Sequence, residues 1–277
     1  MCPYCKEIDV TRKNPRSFQD LGYEGINPID ITVTNFIVEP DQVKGERLTL
    51  TGEEAKHLSQ VLRAKPGDTF WAFDGSGLKY RAVIESIDKT SVTGIIASTS
   101  RLENEPFYNV TLAQGICRPN KMDEIVEKGT EVGVSSFIFY YSDKGYSRQT
   151  EDSSSRKTSR LARIARAAAK QSKRSIIPNI AEFVSFIDLL DQRKDYDLAL
   201  VAHQDVSSKP IEHYLEEITA IRKILLLVGP ESGLSESEFE ACLNAGFMPT
   251  GLGPRRLRTE TAAMIFPALI LHQLGDL

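Results

Sequence analysis

Two short runs, residues 198–202 and 224–228, are apolar at every position and show no alternation. A strand with one wet face must alternate, so such runs fit the central strands of a parallel sheet covered on both faces. Around them the chain reads strand, helix, strand, helix. Residues 109–116 form a buried strand, and Met122, Ile125, Val126, Gly129 and Val132 mark one face of a helix. Residues 136–141 are the next strand, and a helix over 261–274 closes the chain. The expectation for residues 107–277 is an α/β domain with a mostly parallel sheet.

Upstream the rhythm differs. Strands are expected at 35–38, 47–50, 69–73, 78–87 and 91–98, with tight turns at Pro66-Gly67-Asp68 and Asp74-Gly75-Ser76-Gly77. Thr51, with Glu54 three residues on, reads as a capping box opening a helix through Leu62. Residues 36–103 therefore read as a small β-barrel domain. Residues 1–35, with Pro3, Pro15, Pro28 and no periodicity, read as a loosely ordered extension. A length of 277 residues suits two domains.

A net charge of −4 argues against a protein that coats nucleic acid indiscriminately, yet a local basic stripe can act within an acidic whole. No run approaches the roughly 20 apolar residues that span a bilayer. Four cysteines make no disulfide scaffold at this size, so a cytoplasmic setting is expected. Cys2 and Cys5 lack the further ligands a zinc site needs, and no metal is expected.

Residues 224–228 run into Gly229-Pro230-Glu231-Ser232-Gly233-Leu234, and Ser235 with Glu238 then forms a capping box. Open α/β sheets bind ligands at such strand ends, where glycine lets backbone approach a cofactor. The plainer alternative is a strand-to-helix turn. Neither a P-loop nor a Gly-x-Gly-x-x-Gly fingerprint is present. A second bend contains Gly251, Gly253 and Pro254, followed by Arg255, Arg256, Arg258 and Glu260. That composition points to an anion or polar ligand at a helix start. Alternatively, Thr259 caps the last helix and Glu260 complements its dipole.

A third feature is a single-sign stripe. Arg156, Arg160, Arg163, Lys170 and Arg174 share one helical face, with Leu161, Ile164, Ala165 and Ala168 opposite. Residues 156–175 contain eight basic side chains and no acid, which suits a phosphate backbone.

These motifs together resemble the ribosomal RNA small subunit methyltransferase E family, of the SPOUT class. The resemblance rests on Gly229-Pro230-Glu231-Ser232-Gly233 and on residues 252–262, Leu-Gly-Pro-Arg-Arg-Leu-Arg-Thr-Glu-Thr-Ala. It extends to Asn120-Lys121-Met122-Asp123, residues 127–134, the basic segment 167–174, and His57-Leu58, Val61-Leu62-Arg63 and Phe73-Asp74-Gly75. Departures are Ser232 for a usual glycine, Arg256 for an aliphatic residue, and Asp143-Lys144-Gly145 where the family tends to carry arginine and serine.

The resemblance implies a C-terminal SPOUT domain with a trefoil knot behind a PUA-like domain. It implies methyl transfer from S-adenosylmethionine to N3 of a uridine in 16S ribosomal RNA, within the 30S subunit, by a homodimer. Ala202, Val228, Gly229, Pro230, Glu231, Gly233, Leu252, Gly253, Leu257 and Thr261 would then hold the cofactor. Arg258, Arg255 and Glu260 are the catalytic candidates. The arginines would stabilise an anion, and Glu260 or Glu231 would accept a proton or simply hold the loop. Two other readings stay open: a knotted methyltransferase acting on transfer RNA, and a non-catalytic RNA-binding ribosome-assembly protein.

Overall fold

A computed structural model describes residues 30–145, 151–204, 209–216 and 221–277. Most of the expected extension, with Cys2 and Cys5, lies outside the described residues. The chain divides into two compact units, Met1–Arg101 and Leu102–Leu277.

The first unit is a six-stranded sheet. Its strands are β1 (Asp30–Ile37), β2 (Val43–Lys44), β3 (Arg47–Thr51), β4 (Thr69–Phe73), β5 (Leu78–Ile87) and β6 (Ser91–Arg101). Their spatial order is β1-β4-β5-β6-β3-β2. Inward-facing Phe36, Leu48, Leu50, Phe70 and Ile84 form its buried core. The observed pairings form an open path, with no β1–β2 pairing to close a barrel among the described residues.

Two local expectations need correction. The first strand begins at Asp30, where Asp30 and Ile31 pair in parallel with Thr69 and Phe70 of β4; the register shifts before Asn35 pairs with Trp71, and the strand runs through to Ile37. Thr51 is the N-cap of α1 (Gly52–Lys56), but its side chain makes no cap bond. Its hydroxyl accepts instead from Gln42 Nε2 at 2.8 Å, leaving the expected capping box unformed. Beyond α1 a wider helical turn continues over His57–Val61.

The second unit holds β7 (Asn109–Gly115), α2 (Pro119–Val132), β8 (Ser136–Tyr141), α3 (Glu151–Gln171), β9 (Asn179–Ile180), β10 (Val184–Ser185) and α4 (Phe186–Asp191). It continues with β11 (Leu198–Ala202), α5 (Ile211–Glu216), β12 (Lys223–Val228), α6 (Glu236–Asn244), β13 (Met248–Thr250) and α7 (Thr259–Gln273). Strand order is β10-β8-β7-β12-β11-β13, with β9 also on β8, and every pairing is parallel.

The apolar runs behave as their lack of alternation requires. Ile224, Leu226 and Val228 of β12 enter one core with Met122, Ile125, Val126 and Phe266. Leu225 and Leu227 enter another with Ala113, Ile138 and Phe239. Both faces are covered by helices, so β12 has no wet side.

β13, which the sequence reading did not expect, forms immediately before the bend at Gly251, Gly253 and Pro254. It is an edge strand on β11, where Pro249 costs no ladder bond that a central strand would need.

Candidate active site

The C-terminal ends of β11 and β12 open into one cavity of about 300 Å³. Nine expected residues line it: Ala202, Val228, Gly229, Pro230, Glu231, Gly233, Leu252, Arg255 and Leu257. The two glycine bends, separated in the chain by helix α6 and strand β13, thus face each other across one space. His203, Gln204, Ser232, Leu234, Arg256, Thr259 and Ala262 complete the lining; Ser232 and Arg256 lie within the two bends expected to cradle the cofactor, and the other five carried no such expectation.

Four expected residues are not in that lining. Gly253 lines a neighbouring cavity of about 510 Å³ with His203, Gln204 and Lys209. Thr261 gives way to Thr259 and Ala262, which share an α7 face by three-residue spacing. Arg258 is the exposed N-cap of α7. Glu260 points instead to Lys121 Nζ at 2.9 Å.

The bend after β12 is held from below. Gln114, fully buried at the end of β7, donates through Nε2 to Gly229 O at 3.1 Å and to Thr259 Oγ1 at 2.9 Å. Thr259 Oγ1 in turn donates to Gly229 O at 2.6 Å. The Thr259 hydroxyl therefore fastens α7 to the bend and does not cap its own helix. Gly233 takes φ +76°, where an L side chain would be strained, and its N–H closes a turn onto Pro230 O at 2.9 Å.

Ser232 and Lys144, two of the residues read from the sequence as departures, also hold this bend. Ser232 Oγ donates to Lys144 O at 2.6 Å, and Lys144 Nζ lies 3.4 Å from Leu234 O. The capping box of Ser235 and Glu238 forms as expected, and Glu238 Oε1 accepts from the Asp143 backbone at 2.8 Å.

Charge gathers at one wall. Lys121 Nζ lies 3.0 Å from Glu231 and 2.9 Å from Glu260, with Arg118 Nε 3.8 Å from Glu231. Burial acts to raise the Glu260 carboxyl, but the Lys121 hydrogen bond, its own backbone and the Lys121 and Arg258 charges outweigh this. The net result is a carboxyl held below its ordinary value. Burial, reinforced by Glu231, pushes the neighbouring Cys117 thiol up to about 12, so it stays protonated. Lys121 carries no sequence signal of this role, because its partners lie over a hundred residues away.

The basic stripe survives only in part. Leu161, Ala165 and Ala168 face the core as expected, and Arg156 and Arg163 are exposed. Arg160 pairs with Asp123 of α2, and Lys170 is half-buried. Arg174 is a correction. Helix α3 stops at Gln171, and Lys173 adopts left-handed backbone at φ +60°. The Arg174 N–H then bonds back to Ala169 O at 3.0 Å, a Schellman-type ending. The Arg174 side chain is buried against Glu105 at 2.7 Å and against Thr130 O and Val134 O, so it cannot face a phosphate.

Comparison with known proteins decides the family. Residues 103–271 match the RNA methyltransferase domain family, and residues 50–97 the RNA methyltransferase PUA domain. The ribosomal RNA small subunit methyltransferase E of Bacillus subtilis (strain 168) is 30% identical over 229 residues, covering 81% of this chain and 90% of that protein. The chain belongs to the ribosomal RNA small subunit methyltransferase E family. The Synechocystis member is also 30% identical, over 87% of this chain and 77% of its own length. The Neisseria gonorrhoeae member, solved bound to S-adenosyl methionine, superposes with a TM-score of 0.76 at 26% identity. That superposition covers 87% of this chain and 97% of the gonococcal one. Among the described residues no helix is long and apolar enough to cross a membrane, and no group of side chains could hold a metal ion.

Proposed function

We propose that this protein methylates N3 of a uridine in 16S ribosomal RNA, uracil-1498 on the family's pattern, with S-adenosylmethionine as donor. The carrying observation is the single cavity that both glycine bends close at the ends of β11 and β12. Its volume is at the small end of the range for ligand sites. Its wall chemistry fits an amphipathic nucleoside: apolar Ala202, Val228, Leu252, Leu257 and Ala262 against a ribose and base, polar backbone in the bends, and the charges of Glu231 and Arg255.

When bound, the donor supplies an electrophilic methyl group on a positively charged sulfur. The protein's own residues must align the acceptor and handle the N3 proton. Alignment alone accounts for several kcal/mol of acceleration in such displacements, on the order of 7–11 in the best cases. N3 sits in the pairing edge of the base, so the uridine must be turned out of its stack. Glu231 accepts the N3 proton, because of the two candidate carboxylates it alone lines the cavity. Arg255, also in the lining, stabilises the uracil anion left behind, since a guanidinium stays protonated. Arg258 acts from the cavity's edge. Arg156 and Arg163 meet phosphates on the exposed face of α3. The knot, the homodimer, the 30S context and a cytoplasmic location belong to the same reading.

The test uses 30S subunits and naked 16S RNA lacking the modification, each incubated with the protein and S-adenosylmethionine. Nucleoside mass spectrometry should show N3-methyluridine, and a reverse-transcription stop should map it, because the methyl group blocks base pairing. Methylation of transfer RNA instead, or no methylated nucleoside, overturns the reading.

A further inference from the structure

Lys121 sits in the first turn of α2, directly after Pro119 and Asn120. A cation there opposes the positive end of the helix dipole, and no acidic residue in that turn offsets it. Helix stability therefore does not explain the placement. Its ammonium instead reaches two carboxylates from separate segments, Glu231 in the bend after β12 and Glu260 in the first turn of α7. All three are largely withdrawn from solvent, with side-chain exposures of 20%, 30% and 12%.

We propose that Lys121 is a positioning residue for methyl transfer: its ammonium, shared by Glu231 and Glu260, holds the Glu231 carboxylate at the cavity wall ready to accept a proton. The assignment rests on the function proposed above. Two carboxylates on one ammonium stand no more than about 6 Å apart, close enough for like charges to raise one another's pKa. Lys121 cancels that repulsion. The other groups facing the cluster are Arg118 near Glu231, Arg258 near Glu260, and the protonated Cys117 thiol. Arg118 lies farther from Glu231, at 3.8 Å, and is mostly exposed, so neither arginine replaces a cation bridging both acids.

The experiment follows kcat/KM against pH for wild type, Lys121→Met, Lys121→Arg and the double variant Lys121→Met/Glu260→Gln. Removing the ammonium should move the acid limb upward by about one pH unit, with donor affinity by calorimetry kept within about threefold. Lys121→Arg should return the limb, and so should the double variant, which leaves one carboxylate and no repulsion. A purely structural role would lower activity at every pH without moving the limb, and an unmoved limb overturns the proposal. The wild-type protein gives a reading independent of turnover. Carboxyl-carbon NMR should show Glu260 titrating below the ordinary glutamate value, and titration at or above that value also overturns it. Wild-type protein that fails to methylate RNA counts against the function, while the carboxyl titration still judges Lys121.

Discussion

A Cβ placed on Gly115 would meet Pro230 Cδ and N at 2.6 Å, inside any real contact. Backbone stands on one side of that clash, so no flexible side chain can yield to relieve it. Gly115→Ala should therefore push the Gly229–Gly233 bend away from β7. We expect a loss of about 1–3 kcal/mol in urea unfolding, as for other overpacked sites, with weaker S-adenosylmethionine binding by calorimetry. Gln114 acts from the same strand end by hydrogen bonds. Gln114→Leu keeps the volume but removes the donor shared by Gly229 O and Thr259 Oγ1. Thr259 still bonds the Gly229 carbonyl, so the expected destabilisation is about 1–2 kcal/mol. Equal stability of the leucine variant would show that the amide does not hold the bend.

At the scale of elements, α3 divides its basic residues between two tasks. Arg174 closes the segment after the helix onto Glu105, both side chains only 4% exposed. Arg174→Met strands a buried carboxylate and should cost about 3–5 kcal/mol, leaving the salt dependence of RNA binding unchanged once the folded fraction is accounted for. Neutralising Arg156 and Arg163 should do the reverse. Stability should hold, while the slope of log affinity against log salt should fall by roughly 1–2. A slope that Arg174→Met flattens and the double variant does not would invert the assignment. The join of β11 and β12 carries a pH dependence. Asp197 accepts backbone N–H groups of Lys223 and Arg222, both at 2.8 Å, and these bonds hold its carboxyl below the ordinary value of 3.8. A depressed carboxyl stabilises the fold fully above its unfolded pKa, and that contribution disappears as pH falls through the folded value. Asp197→Asn should therefore lower Tm at pH 7 and flatten the acid fall of Tm below about pH 4.

Across the whole molecule, the cavity and its charged wall draw on residues of the Leu102–Leu277 unit alone. That unit has cores on both faces of its sheet, and the first unit has its own. A fragment beginning at Leu102 should therefore bind S-adenosylmethionine with nearly full affinity yet methylate RNA poorly, as calorimetry and nucleoside mass spectrometry would show. A fragment that folds but binds no donor would contradict this division. The sequence by itself determined the parallel sheet, because apolar runs without alternation cannot be half-wet, and it determined which strand ends carry glycine bends. It also determined α2 and the inner face of α3, where 3.6-residue spacing leaves one apolar stripe. The fate of particular polar side chains was decided only by tertiary structure. Thr51 and Thr259 read as caps, yet Gln42 and Gly229 claim their hydroxyls; Arg174 reads as one more cation on a helical stripe, yet a left-handed Lys173 turns it inward. Lys121 finds its partners across the fold. Local spacing sets backbone shape and apolar faces, whereas a polar group takes whichever partner the folded chain brings within about 3 Å, and that partner can lie anywhere in the sequence.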